Sequence, residues 1–123
     1  MLPNELLAEI VVPAGGSRNS TYEVRQKEAL DWPLVAASVA LNMKGSTVSS
    51  ARIVLGHVAP TPWVAADAAK ALAGKSLTPE TAEEAGKAAV AGATPLSQNG
   101  YKVQLARVAV KRALMEAVHG KAA

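Results

Sequence analysis

The sequence predicts one α+β domain, in which an antiparallel sheet of three or four strands is followed by three helices packed on one face. Two observations carry this prediction. The hydrophobic pattern is typical of strands as far as residue 60 and of helices from residue 62 onward. The length of 123 residues suits a single domain. We expect residues 1-13 to hold an amino-terminal segment with the first strand, 20-60 the antiparallel strands and 62-120 the three helices.

The amino-terminal part predicts a short strand and then a loop. The apolar run Leu6–Val12 ends in β-branched residues and is stopped by Pro13. The following stretch contains Gly15 and Gly16, but no G-x-G-x-x-G or G-K-[ST] pattern, so we interpret it as a plain loop. The next segment, 21–26, alternates, with Tyr22 and Val24 on one face and Glu23 and Arg25 on the other.

The stretch 31–41 fits two structures. Asp31 could cap a helix with Pro33 in its first turn, or the apolar run could be a strand buried on both faces. The residues that follow favour a strand. Segment 48–59 alternates, placing Ile53, Leu55 and His57 on one face, and a turn with Gly45 joins the two runs into a hairpin.

The carboxyl-terminal half predicts three helices. Residues 63–73 form the first, closed by Gly74. Thr78 caps the second, which runs to about Ala91 with Pro79 in its first position. The third begins at Ser97 or Asn99 and ends before Gly120. Its inward stripe comprises Val103, Ala106, Val110, Ala113, Leu114 and Ala117.

Composition excludes several kinds of site. Cysteine is absent, so the chain has no disulfide, thiol nucleophile, thiolate zinc site or cysteine-ligated iron–sulfur cluster. Alanine supplies 26 residues and phenylalanine none, which predicts a core of small aliphatic side chains. The net charge of +3 reflects basic residues on the last helix, which we interpret as a solvated or partner-facing stripe and not as a nucleic-acid site. We expect no membrane association and a cytoplasmic location.

No catalytic constellation is evident in the sequence. No G-x-S-x-G elbow places a serine nucleophile. We expect His57 to be a partly buried strand residue and His119 to follow the last helical turn. The acidic residues Glu80, Glu83 and Glu84 lie early in their helix, which suits the helix dipole. We therefore predict no catalytic residue and no metal ligand in this chain.

Five pieces of the chain, in order, resemble one family: the C-terminal domain of the flavoprotein (medium) subunit of molybdenum hydroxylases, such as carbon monoxide dehydrogenase and xanthine dehydrogenase. The longest is similar to the stretch A-R-x-x-x-G-x-V-A-x-x-P of that family. The others resemble its first strand, its D-aromatic signature, an L-x-G-K helix end and a terminal Y-R…R-A-L helix. In this sequence the pieces are 51–63, Tyr22–Lys27, Asp31–Val35, Ala71–Lys75, and Tyr101-Lys102 with Lys111–Leu114.

The resemblance implies a three- or four-stranded antiparallel sheet carrying three helices, which favours a strand at Leu34–Leu41. It also implies FAD in a parent flavoprotein, bound mostly by an amino-terminal region. The implied partners are that FAD-binding region, an iron–sulfur subunit and a molybdenum subunit that feeds electrons to the flavin. Segment 2–10 resembles the join between the two regions. We expect this chain alone to bind no cofactor.

Two flavin positions carry over from the family. Leu6 matches an apolar position near FAD, and Glu23 matches a position where many relatives have a lysine that reaches the cofactor. An acid there opposes an anionic diphosphate. The implied function is a structural, FAD-supporting domain that does no chemistry alone. The alternative is a free-standing interaction or dimerisation module without flavin, with a homodimer as its simplest form.

Overall fold

The computed structural model describes residues 1–12, 14–27 and 31–119. These contain a four-stranded antiparallel sheet in the order β1-β2-β3-β4 and three helices. The α+β fold predicted from the sequence is confirmed. The elements are β1 (Arg18–Val24), β2 (Val35–Lys44), β3 (Thr47–Gly56), β4 (Trp63–Val64), α1 (Ala66–Leu72), α2 (Pro79–Ala89) and α3 (Tyr101–His119).

The hairpin of β2 and β3 is the centre of the sheet. The strands pair over almost their full length, and Gly45 turns the chain between them with a φ of 60° that glycine adopts without strain. The strand predicted at Leu34–Leu41 is therefore confirmed, but it is buried on one face only. Val35, Ala37, Val39 and Leu41 point into the core, whereas Ser38 between them is exposed.

Two predicted elements are wrong. Leu6–Val12 belongs to none of the strands and is exposed along its whole length, because no neighbouring strand of this sheet pairs with it. The predicted helix over 63–73 starts late: Trp63 and Val64 pair with Leu55 and Val54 as β4, and the helix begins at Ala66.

Strand β3 ends at Gly56, three residues before the predicted end. The next residue, His57, has a φ of 62°, which lies outside the β region and turns the chain out of the sheet. His57 is exposed there, so the prediction of a partly buried strand histidine is wrong.

The helices cover one face of the sheet. Helix α3 packs on β1, β2 and α2, and α1 packs on β3 and α2. Thr78 caps α2 as predicted: its hydroxyl accepts from the Thr81 amide, and the Thr81 hydroxyl accepts from the Thr78 amide. Helix α3 begins at Tyr101, later than predicted, because Asn99 forms a preceding turn in which its side chain accepts from the Leu96 amide.

The predicted inward stripe of α3 is buried at its centre. Ala106, Val110, Ala113 and Leu114 are buried, together with Ala109, while Val103 and Ala117 are partly buried. The core includes only small and medium side chains, of which the largest fully buried ones are leucine, isoleucine and valine. No helix among the described residues is long and apolar enough to cross a membrane.

Helices α2 and α3 approach each other closely at Gly86. A Cβ atom built on Gly86 lies 2.6 Å from the carbonyl oxygen of Arg107, a distance that real Cβ atoms do not show. The absence of a side chain at this buried position therefore sets the distance between the two helices.

A charge cluster links the same two helices at the surface. Glu83 accepts from Arg107, whose Nε is 2.6 Å from Glu83 Oε1, and Lys111 Nζ is 3.0 Å from Glu83 Oε2. The hydrogen bonds from Arg107 and then Lys111 hold the pKa of Glu83 below its usual value of 4.5.

We expect Gly86→Ala to destabilise the domain by about 1–3 kcal/mol, because the new methyl group overlaps the α3 backbone. In an unobstructed helix interior the same change stabilises by up to about 1 kcal/mol, so the sign of the effect is diagnostic. Urea unfolding measures it. Gly92→Ala is the matched control: no atom lies near its Cβ position, and its effect stays within about 0.5 kcal/mol. A Gly86→Ala variant at least as stable as wild type would contradict the close approach.

We expect Glu83 to contribute to the acid dependence of stability. Because its pKa is lowered in the folded chain, the folded form binds this proton less readily than the unfolded form. The contribution is complete above pH 4.5 and is lost as the pH falls below it. Glu83→Gln removes the titration, so the variant loses less stability than wild type on acidification below pH 4.5. Urea unfolding at a series of pH values measures this. Glu9→Gln, which removes the same charge from the exposed segment, is the control, and equal slopes for Glu83→Gln and wild type would refute the assignment.

Candidate functional site

Groups that could react are scattered over the surface. The described residues contain no buried polar or charged side chain and no group of three acidic, histidine or cysteine residues able to hold a metal. His57 lies at the end of the sheet and His119 at the end of α3. Among the described residues neither histidine has a carboxylate partner, so these residues provide no histidine–carboxylate pair for acid–base catalysis.

The carboxylates with shifted pKa values are Glu80 and Glu83. The pKa of Glu80 is lowered first by its hydrogen bond with Thr78 at the start of α2, and that of Glu83 by Arg107. A general acid at neutral pH needs a carboxyl with a raised pKa. Both carboxylates consequently act as structural anions.

The basic residues of α3 are mostly engaged within the domain. Arg107 and Lys111 pair with Glu83, and the Lys102 ammonium donates to the carbonyl oxygen of His57 at 3.1 Å. Arg112 lies over the Tyr22 ring, 5.1 Å from its centroid, and donates to the Tyr22 hydroxyl. All four side chains remain half-buried or exposed, which agrees with the solvated stripe predicted from the sequence. Lys121 lies outside the described residues.

The structure places the two carried-over flavin positions on different parts of the chain. Leu6 lies in the amino-terminal segment and is 94% exposed. Glu23 lies on β1, at the edge of the sheet, where its side chain pairs with Arg25. This surface pairing offsets part of the negative charge of Glu23.

Glu23 belongs to the face of the sheet that no described helix covers, which we call the open face. The register aligns Glu23 with Ala36 and Gly56, Thr21 with Ser38 and Val54, and Asn19 with Ala40 and Arg52. Ala36, Ser38 and Ala40 thus run along the middle of the open face, and the Thr21 and Ser38 hydroxyls lie 2.9 Å apart. Small side chains therefore occupy the middle of the open face, while Glu23 and Arg52 lie on the strands to either side.

A shallow cleft of about 300 Å³ lies at the end of the sheet, between the loop after β3, the start of α3 and the loop after α2. Its lining is mainly apolar and includes Leu55, Trp63, Val90, Pro95, Lys102 and Val103. Beside this loop the ring of Trp32, 81% exposed, meets the His57 ring edge-on with centroids 6.2 Å apart. Sequence reasoning missed this cleft, because the loops that form it lie far apart along the chain.

The domain therefore offers surfaces for packing and no reactive centre among its described residues. Three surfaces stand out: the open face, the cleft beside Trp63, and the exposed apolar side chains of residues 1–12. Contiguous exposed apolar side chains mark interaction sites, and two of these surfaces carry them, at Trp63 and along residues 1–12.

Comparison with known proteins gives a consistent result. The CO dehydrogenase flavoprotein C-terminal domain family matches residues 20–117. The carbon monoxide dehydrogenase medium chain of Hydrogenophaga pseudoflava is 35% identical over 116 residues, which are 90% of this chain and 40% of that protein. The medium chain of Afipia carboxidovorans is 32% identical over 120 residues, 94% of this chain and 42% of that protein. The chain thus spans about two fifths of the length of these relatives.

Solved structures agree with the sequence comparison. Quinoline 2-oxidoreductase from Pseudomonas putida 86 is similar with a TM-score of 0.81 and 28% identity, over 89% of this chain and 39% of that one. Carbon monoxide dehydrogenase from Hydrogenophaga pseudoflava, in a form that lacks the Mo-pyranopterin moiety of the molybdenum cofactor, gives a TM-score of 0.77 and 35% identity over the same shares.

The similarity to the two medium chains extends beyond the family match. The alignments with the two relatives cover 90% and 94% of this chain. The family match 20–117 together with all residues after 117 makes up a smaller share than either. Both alignments must therefore include residues before 20, and the 94% coverage requires the alignment with the Afipia carboxidovorans chain to begin at residue 8 or earlier.

Proposed function

Because this chain belongs to the CO dehydrogenase flavoprotein C-terminal domain family, we propose that it is the C-terminal domain of the FAD-binding medium subunit of a molybdenum hydroxylase. The enzyme is of the carbon monoxide dehydrogenase or xanthine dehydrogenase type. In it the domain supports the flavin site and packs against other parts of the complex, while the reactions take place elsewhere. On this proposal the chain works in the cytoplasm.

The observation that carries this proposal is the open face. A four-stranded sheet with helices on one side leaves its other side to water unless another element covers it, and here the middle strand of that side carries the small residues Ala36, Ser38 and Ala40. Glu23, the position carried over from the family, lies on this face. The face is thus suited to lie against the flavin-containing part of a medium subunit.

The described residues do not form a complete FAD site. A diphosphate is usually held by a glycine-rich turn at a helix N-terminus, and the sequence has no such motif. Glu23 brings an anion, paired with Arg25, and Leu6 is extended into solvent. We therefore propose that the rest of the medium subunit binds most of the FAD, and we assign no electron-transfer step to residues of this chain.

The proposed partners follow from the same assignment. They are the amino-terminal, FAD-binding region of the medium subunit, an iron–sulfur subunit and a molybdenum subunit. In such a complex electrons from the molybdenum centre pass through the iron–sulfur clusters to FAD. The absence of cysteine in this chain fits a division in which another polypeptide ligates the clusters.

A chimeric medium subunit tests the proposal. In the medium chain of Hydrogenophaga pseudoflava, the part that this chain matches is replaced by residues 1–123, and the purified chimera is titrated with FAD. We expect one FAD to be retained per chain. In the chimera Ser38→Trp places a bulky ring on the open face, so we expect roughly tenfold weaker FAD retention, equivalent to about 1.4 kcal/mol.

Lys87→Trp is the matched control, because it adds the same ring at an exposed position of α2, an element on the covered side of the sheet. It should leave FAD retention unchanged, and both variants of the isolated chain should unfold at the wild-type temperature. Failure of the unsubstituted chimera to retain FAD would overturn the proposed function. Equal FAD retention by Ser38→Trp and Lys87→Trp would show that the open face does not take part in the proposed function.

A further inference from the structure

The amino-terminal segment carries large apolar side chains that no part of this domain covers. Leu6, Leu7, Ile10, Val11 and Val12 are 68–94% exposed. Among the described residues, the hydrogen bonds and ion pair of residues 1–12 stay within the turn Met1–Glu5. Leaving five large aliphatic side chains in water forfeits about 1.5–3 kcal/mol each, relative to burial. The segment therefore needs a partner outside the described fold.

The chemistry of the segment is that of a β-strand. Ile10, Val11 and Val12 are β-branched residues, which favour extended backbone, and Glu9 is the one charged residue of Leu6–Val12. Alternation places Leu6, Ala8, Ile10 and Val12 on one side and Leu7 and Val11 with Glu9 on the other. Both sides are apolar apart from Glu9, so the strand is suited to a sheet that is covered on both faces and supplies a partner for the Glu9 carboxylate.

The sheet of this domain cannot take the segment. The connection of residues 13–17 is long enough for a hairpin with β1, whose outer edge is unpaired among the described strands. A strand added there would place either Leu7 and Val11 or Leu6, Ile10 and Val12 on the open face, next to the polar Asn19, Thr21 and Glu23. Those side chains would remain in water, and the segment pairs with none of the described strands.

The similarity to one relative nevertheless includes most of the segment. The alignment with the medium chain of Afipia carboxidovorans covers 94% of this chain, so it begins at residue 8 or earlier, ahead of the C-terminal domain family match. The part of a medium chain that this chain does not cover is therefore the partner that occurs together with the segment.

We propose that Leu6–Val12 forms a β-strand in a sheet of the flavin-containing part of the medium subunit, so that the two parts share a strand as well as a surface. This inference rests on the proposed function and names the contact that joins the domain to its partner. Strand pairing supplies main-chain hydrogen bonds, and the two apolar sides are buried by side chains of that sheet. A segment exposed in the isolated domain is thereby ordered in the complete subunit.

Hydrogen exchange of the backbone amides tests the proposal in the chimeric medium subunit with FAD. In the isolated chain we expect amides 6–12 to exchange at the rate of an unstructured peptide. In the chimera we expect exchange slowed by more than about a hundredfold, as in an ordered strand.

Proline substitutions show which hydrogen bonds hold the strand. Successive amides of a strand point to opposite sides, and proline has no amide hydrogen to donate. If the strand lies between two others, both Ile10→Pro and Val11→Pro should abolish the slow exchange in the chimera. If the strand lies at an edge of the sheet, only one of the two variants should abolish it. Ala14→Pro, just beyond the segment, is the control and should keep it. All three variants of the isolated chain should unfold at the wild-type temperature.

Each outcome decides between the proposals. A chimera that retains FAD while amides 6–12 exchange as fast as in the isolated chain overturns the shared strand and leaves the proposed function intact. Slow exchange without FAD retention overturns the proposed function and keeps the strand. If exchange in the isolated chain becomes slower as the protein concentration rises, a second copy of the chain is the partner and this inference is overturned. Slow exchange in the chimera that persists in both proline variants also overturns it.

Discussion

The structure depends on how closely α3 approaches the sheet and α2. With 26 alanines and no phenylalanine, the chain cannot fill wide gaps between its layers, so burial has to come from backbones that lie near one another. Gly86 against the carbonyl of Arg107 sets the distance on one side of α3. Ala106, Ala109 and Ala113, all buried, keep the helix close to its neighbours. The ion pairs of Glu83 and the stacking of Arg112 on Tyr22 then secure the helix from the surface.

This mode of packing also explains where the functional surfaces lie. The helices cover the core on one side of the sheet. The described residues of this core include no buried polar or charged side chain. The described interior therefore contains no reactive group, so functional contacts have to be made by the surface. The open face, the cleft beside Trp63 and the segment Leu6–Val12 all face away from the core. Such surfaces suit a domain that packs against a larger protein.

The sequence predicted the fold where a pattern and its burial agree. The alternation at Tyr22 and Val24, the Thr78 cap and the α3 stripe depend on neighbours within a few residues. Predictions were wrong where tertiary pairing decides. Trp63 and Val64 pair with β3 instead of starting a helix, and the left-handed backbone of His57 ends that strand early. The strand predicted at Leu6–Val12 is not formed. Only one face of this sheet is covered, so the sheet could bury the apolar side chains of one side of that strand and not of the other.

The candidate site was less predictable than the fold. Glu23 could be placed by resemblance, but its ion pair with Arg25 depends on the conformation of the chain at the end of β1. The cleft requires three loops that meet only after folding. The basic residues of α3 could be counted from the sequence, yet their partners Glu83, Tyr22 and the His57 carbonyl lie on other elements. Each of these features depends on how the helices and the sheet are arranged relative to one another.

The central claim is that this domain is energetically joined to the flavin-containing part of a medium subunit. Differential scanning calorimetry of the chimera with FAD, recorded together with flavin fluorescence, tests it most directly. We expect one cooperative transition, with flavin released as the domain unfolds, at a temperature above that of the isolated chain. Two separate transitions, with flavin released in one and this domain unfolding in the other at the temperature of the isolated chain, would contradict the claim.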